Sequence, residues 1–156
     1  MIKKNIFCIV LMLLITECTG YEPLYSGDKS NFGIGTIDYE GDDSIGKSIG
    51  KNLKNIIRTE NNARKINMLI NLKKNKVIAT KDKKGKTTNF EMQIVINVIA
   101  TEASNNEVLF DKKYSFQKIY QNKSTASETR NLELKVIDDT VTEAVRLINM
   151  DIQTLQ

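Results

Sequence analysis

The chain of 156 residues carries 23 lysines and arginines against 19 aspartates and glutamates, and it contains no histidine. The absence of histidine removes the commonest general base and the commonest metal ligand, so we expect neither an enzyme nor a metal or cofactor site. The net charge of +4 is too small to indicate a nucleic-acid partner.

Residues 1–17 have the pattern of a signal peptide. Lys3 and Lys4 precede ten apolar residues, Ile6–Ile15, whereas a membrane-spanning helix needs roughly twenty. Cys18 follows at the position where bacterial lipoproteins carry the cysteine that is acylated. We therefore expect cleavage before Cys18, lipidation of its thiol, and retention at a membrane through the acyl chains.

The residue before Cys18 leaves a second route open. The peptidase that processes lipoproteins prefers a small side chain there, and this chain has Glu17. If Glu17 prevents lipidation, cleavage after Gly20 follows the pattern of an ordinary signal peptide and leaves a soluble periplasmic protein.

Behind the signal peptide, residues 18–31 are predicted to form the lipid-attachment site and an extended tether. Pro23 opposes helix formation, and Gly27 and Asp28 favour turns. Residues 32–156 then have the length of one domain with its own core, and neither cysteine lies in them, so no disulfide is expected.

The domain is predicted to begin with a strand and an amphipathic helix. Phe32 and Ile34 start the strand, and Gly41-Asp42-Asp43 supplies a turn with an aspartate that can cap the following helix. The helix is predicted over residues 44–59, because apolar residues recur there at helical spacing. They are Ile45, Ile49, Leu53, Ile56 and Ile57.

Gly46 and Gly50 lie four residues apart on this helix, where each costs up to about 1 kcal/mol against alanine. A close contact of the helix backbone would offset that cost. Either the helix lies tightly on its own sheet, which we favour, or the backbone of another protein approaches it there.

Three further strands are predicted, over residues 66–79, 90–101 and 107–120. The middle one shows the clearest alternation of apolar with polar side chains, so one of its faces is expected to be buried. Strands of roughly fourteen residues would extend about 46 Å, and we expect their hairpin to project beyond the compact core.

The strand over residues 66–79 carries an interruption. Lys73, Lys74 and Lys76 break the apolar alternation before it resumes at Val77. Either a β-bulge or an outer half exposed to water would explain this pattern.

A second helix is predicted to close the domain. Thr125 and Glu128 have the spacing of a capping box, and an apolar stripe continues from Leu134 to Leu155. The resulting order β-α-β-β-β-α predicts an α+β fold, with two helices packed on one face of a four-stranded, mainly antiparallel sheet.

The stretch Cys18-Thr19-Gly20-Tyr21-Glu22-Pro23-Leu24-Tyr25 resembles the start of the LPS-assembly lipoprotein LptE family, where Cys-Gly precedes an aromatic residue and Pro-Leu-Tyr. The signal peptide and the element order extend the likeness over essentially the whole mature chain. Glu17 and the inserted Thr19 depart from the family pattern.

This resemblance implies a lipoprotein anchored at the periplasmic face of the outer membrane. Such a protein lies within the lumen of the β-barrel translocon LptD, assists the assembly of that barrel, and binds lipopolysaccharide. The residues themselves leave another periplasmic lipoprotein open as the alternative, such as an accessory subunit of a lipid-transport system or an activator of a cell-wall synthase.

The turn between the second and third strands is the candidate site for lipopolysaccharide. Lys81, Lys83, Lys84 and Lys86 place four ammonium groups on it, and ammonium groups bind phosphates such as those of lipid A. The same cluster is also typical of a solvated loop without any ligand, because charge runs are common on surface turns.

Overall fold

The computed structural model describes residues 32–57 and 64–155. Its elements follow the predicted order: β1 is Phe32–Gly41, α1 is Asp43–Ile56, β2 is Arg64–Lys81, β3 is Thr87–Glu102, β4 is Val108–Gln121 and α2 is Ala126–Gln153. The predicted signal peptide, the lipidation site Cys18 and the tether lie outside the described residues.

The four strands form one mixed sheet in the order β1-β2-β3-β4. β1 and β2 are parallel because the connection through α1 carries the chain back between them, whereas β2–β3 and β3–β4 are antiparallel hairpins. Both helices contribute to one core on the same face of this sheet. This arrangement confirms the predicted α+β fold.

The core lies between the helices and that face of the sheet. Alternate side chains of β2 and β3 are buried there, because successive residues of a strand point to opposite faces. From the strands the core includes Ile66, Met68, Ile70, Leu72, Met92, Ile94, Ile96 and Val98, and from the helices it includes Ile45, Ile49, Leu53, Val141, Val145, Ile148 and Ile152.

Asp42 is the N-cap residue of α1. Its carboxylate accepts a hydrogen bond from the backbone N–H of Ile45 at 3.4 Å and pairs with Lys74 Nζ of β2 at 2.6 Å. The hydrogen bonds from Lys74 and Ser44 are the largest causes that lower the pKa of Asp42 to about 2. One side chain therefore both caps the helix and fixes its start against β2.

The other helix ends differ in how closely the sequence predicts them. α2 begins at the predicted capping box, in which Thr125 and Glu128 each bond to the backbone of the other. α1 ends at Ile56, three residues before the predicted end. Ile57 takes an extended backbone, with φ −83° and ψ 95°, and its side chain is buried in the core.

Gly46 and Gly50 face Tyr39 of β1. A Cβ atom at Gly46 would lie 2.9 Å from Cδ1 of Tyr39, and one at Gly50 would overlap the Tyr39 hydroxyl. The tyrosine ring occupies the space that the two side chains would need. The prediction that this helix packs tightly on its own sheet is confirmed.

β2 is one continuous strand of 18 residues. Its register against β3 shifts between Ile78 and Lys81, beyond the lysines that interrupt the apolar pattern. β1 pairs with β2 only as far as Leu72, and α1 begins at the same level, so residues 73–76 are exposed. Exposure of the outer half, and not a bulge, explains the interruption.

Candidate functional site

The four lysines of the predicted site lie together at the tip of the β2–β3 hairpin. Lys81 ends β2, Lys83, Lys84 and Lys86 follow before β3 begins, and all four are exposed. None of them forms an ion pair within the described ranges. Their charges are therefore available to an anionic ligand.

Asp82 and Gly85 hold the turn in shape. The Asp82 carboxylate accepts hydrogen bonds from the backbone N–H groups of Lys84 at 2.8 Å and Lys86 at 2.9 Å. The Gly85 N–H donates to the Asp82 carbonyl at 3.0 Å, and Gly85 has φ +80°, a conformation that glycine adopts without strain. The lysine side chains take no part in this backbone network.

The lysine tip and the start of β1 lie at opposite ends of the sheet. Phe32, the first residue of β1, pairs with Arg64, the first residue of β2. The Arg64 guanidinium forms a bidentate salt bridge with the Glu102 carboxylate. The 18 residues of β2 separate this end from the lysines. At about 3.3 Å per residue, the distance is about 55 Å.

The second face of the sheet carries no helix in the part of the chain that the structure describes. Polar side chains dominate this face, and some of its amides donate to carboxylates of the next strand, as Asn71 does to Glu40 at 2.8 Å. Asn75, Gln93 and Gln117 are in register across β2, β3 and β4. The amide residues of this face are Asn67, Asn71, Asn75, Asn89, Gln93, Asn97, Gln117 and Gln121. We call this surface the amide face.

Two parts of the site were not predicted from the sequence. One is the role of Asp82 in holding the turn, although an aspartate three residues before a glycine is a known turn signal that could have shown it. The other is the position of Lys73. It lies on the amide face, opposite to the face that carries Lys74.

The described ranges offer neither a metal site nor a helix able to span a membrane. Residues 32–57 and 64–155 contain no group of three or more histidine, cysteine, aspartate or glutamate side chains able to hold a metal ion. No helix within them is both long and apolar enough to cross a membrane.

The fold and the site define a class of domain: an α+β sandwich with one helix-covered face, one open amide face and a basic tip. No protein-family model and no curated protein matches the sequence. Solved structures do match the fold.

Three lipoproteins illustrate this structural likeness. An uncharacterized lipoprotein B from Nitrosomonas europaea has a TM-score of 0.56 at 14% identity, covering 86% of this chain and 88% of that chain. A minor lipoprotein from Acinetobacter baumannii has a TM-score of 0.54 at 14% identity, covering 78% and 94%. Rare lipoprotein B from Shewanella oneidensis has a TM-score of 0.53 at 14% identity, covering 77% and 96%. At these identities the likeness shows a shared fold.

Proposed function

We propose that this chain is a lipid-anchored, non-catalytic protein of the outer membrane that assists lipopolysaccharide assembly. In this proposal it is the plug and assembly partner of an LptD-like β-barrel, and its β2–β3 turn binds lipopolysaccharide. The observation that carries the proposal is the exposed tip on which Lys81, Lys83, Lys84 and Lys86 lie without ion pairs in the described structure.

The fold supports the lipoprotein part of this proposal. The structural neighbours named above are described as lipoproteins, and this chain has a cysteine directly after a signal-like apolar run. A lipid on Cys18 would join the domain through residues 18–31, which lead into β1 at the end of the sheet opposite the lysines.

The chemistry of the turn supports a phosphate ligand. Each lysine supplies a compact positive charge, and several of them on one tip raise the local potential even though the net charge of the chain is small. Because Asp82 and Gly85 fix the backbone, the ligand meets an array of ammonium groups on a formed turn. The phosphates of lipid A have the charge that this array attracts.

The dimensions of the domain support a place within a barrel. At about 55 Å, β2 exceeds the roughly 40–45 Å thickness of a bilayer with its headgroups. A domain standing in the lumen, with the start of β1 on the periplasmic side, would bring the lysine tip to the outer headgroup layer. The amide face would meet the polar lining that such barrels have.

Lipopolysaccharide binding by a turn variant tests this proposal. Replacing Lys81, Lys83, Lys84 and Lys86 with alanine should weaken binding to purified lipopolysaccharide by about 2 kcal/mol at low salt, because four exposed charges act together. The difference should shrink as salt rises. Any single replacement should matter little.

A matched variant controls for the loss of net charge. Lys51, Lys54, Lys113 and Lys135 are exposed, lie away from the tip and form no ion pair in the described ranges. Replacing these four with alanine changes the net charge equally and should leave binding almost intact. If the two variants bind lipopolysaccharide alike, the turn is a solvated loop and the ligand binds elsewhere.

A further inference from the structure

β2 has an open edge along its outer half. β1 pairs with β2 from Phe32 opposite Arg64 to Gly41 opposite Leu72, and the chain then enters α1. Beyond Leu72, no strand of the described sheet pairs with this edge. Residues 73–81 are therefore bonded to β3 on one side only.

The direction of the backbone groups along this edge follows from two hydrogen bonds. The Leu72 carbonyl accepts from the Asp42 N–H on the β1 side, whereas the Lys65 carbonyl accepts from the Ala103 N–H on the β3 side. Alternate residues of the strand thus point their backbone groups to opposite sides. The same alternation points the N–H and C=O groups of Lys74, Lys76 and Ile78 away from β3, where no described residue bonds to them.

Two exposed apolar side chains lie beside this edge. Ile78 is 51% exposed, and so is Leu134 of α2. Glu133, the neighbour of Leu134, bonds to Lys76 at 2.7 Å, so this turn of α2 lies level with the open edge. Glu143 of α2 pairs with Lys118 of β4, and Leu134, nine residues away, lies on the opposite flank of the helix, toward β2.

The charges near the edge select the kind of segment that fits it. Lys74 and Lys76 are paired with carboxylates of this chain, but Lys73 and Lys81 have no ion pair among the residues described. A second copy that added antiparallel around Val77 would place Lys73 opposite Lys81 of the other copy, and like charges directly opposite each other are destabilising. An acidic segment would instead be attracted.

We infer that the outer half of β2 accepts an added strand from a partner protein, in which acidic residues alternate with apolar ones. The apolar residues cover Ile78 and Leu134 on the helix side, and the acidic residues lie near Lys73 on the other side. The backbone of the segment bonds to Lys74, Lys76 and Ile78. This edge contact is independent of phosphate binding by the turn.

A short capped peptide of alternating glutamate and valine is a suitable probe, used with the full chain. Amide hydrogen exchange should slow at Lys74, Lys76 and Ile78 when the peptide binds, while the intervening amides, already bonded to β3, should not change. Attraction to the lysines alone would give no such alternation. A uniform response of odd and even residues would therefore overturn the inference.

N-methylation of the probe tests the backbone bonds directly. Methyl groups on every glutamate nitrogen, or on every valine nitrogen, block opposite edges of the peptide strand. One of the two methylated peptides should bind roughly tenfold more weakly or worse, because it loses several hydrogen bonds, and the other should bind like the parent. Equal binding of both would contradict strand addition.

The apolar contact has its own matched control. Leu134→Ser should weaken binding of the parent peptide several-fold, whereas Ile119→Ser should not, since Ile119 is 65% exposed but lies on β4, at the far edge of the sheet. Equal effects of the two changes would place the peptide elsewhere. If peptide binding fails while the turn still binds lipopolysaccharide, the edge inference alone is wrong.

Discussion

Two aspartates hold the backbone in place, one at the start of α1 and one in the β2–β3 turn. Asp42 caps α1 and pairs with Lys74, while Asp82 closes the β2–β3 turn through two backbone N–H groups. A short side chain can satisfy backbone donors that helix and sheet leave unpaired. The level at which α1 starts and the shape of the lysine tip both depend on these residues.

The Asp42–Lys74 pair should make stability depend on pH. The pKa of Asp42 is about 2, below its ordinary 3.8, so its contribution is full above about pH 5 and is lost as the pH falls toward 2. Asp42→Asn keeps a good cap but removes the charge. We expect it to lower the free energy of unfolding by about 1 kcal/mol at neutral pH and by almost nothing near pH 2, as urea denaturation can measure. A difference that stays constant over this range would contradict the assignment.

Helix caps of this kind can largely be predicted from the sequence. Asp42 and the Thr125–Glu128 capping box are predictable because their partners lie within three residues along the chain. The contact of Tyr39 with Gly46 and Gly50 is different. The glycine spacing indicates that something approaches closely, but only the placement of α1 on β1 identifies the side chain that does.

At the scale of elements, the outer half of β2 is held mainly through Lys76. Its Nζ lies 4.3 Å from the centre of the Phe90 ring and 5.6 Å from that of Tyr120, and it bonds to Glu133 of α2 at 2.7 Å. Tyr120 also donates to Glu133 at 3.1 Å. This cluster ties the first turns of α2 to three strands where neither β1 nor α1 contributes.

A double-mutant cycle should detect the interaction between Lys76 and Glu133. Combining Lys76→Met with Glu133→Gln should show a coupling free energy of about 1 kcal/mol or more, because the pair is partly buried and shares partners. The Lys118–Glu143 pair, at 3.0 Å and more exposed, is the control and should couple by less than about 0.5 kcal/mol. Urea denaturation of both cycles gives the comparison. Equal coupling would mean that the Lys76 cluster is only a surface contact.

The strands and their order along the chain can be predicted from the periodicity of the sequence. Which parts of each strand are covered by other elements cannot be predicted in this way. The alternation over residues 90–101 predicts a one-sided strand, and β3 is one. The exposure of residues 73–76 depends on where β1 stops pairing, at Leu72, which no pattern within β2 encodes. The early end of α1 also depends on tertiary packing. Ile57 leaves the helical conformation, and its side chain is buried in the core.

The described domain is elongated, and its two ends differ from each other, as do its two faces. The end where β1 begins carries the Arg64–Glu102 pair, and the far end carries the lysine tip. One face is covered by helices and the other presents amides. This polarity gives the proposed anchor, barrel contact and lipopolysaccharide site separate places on one domain.

Separate places predict separable functions. Cys18→Ala should release the protein from membranes more than it weakens barrel binding, because acyl chains and domain contacts act independently. Mass spectrometry of the mature wild-type protein should find the acylated cysteine at its N-terminus. An unmodified chain that begins at Tyr21 would show that Glu17 blocks lipidation, and equal loss of membrane and barrel binding would contradict the separation.

Purification of the native protein from detergent-solubilised outer membranes is the strongest test of the proposed barrel partner. We expect one large β-barrel protein to co-purify at about equal molar amount, and the complex to persist with Cys18→Ala. Recovery without a barrel, whether alone, with a lipid-transport complex or with a cell-wall synthase, would show that the protein is not a barrel partner.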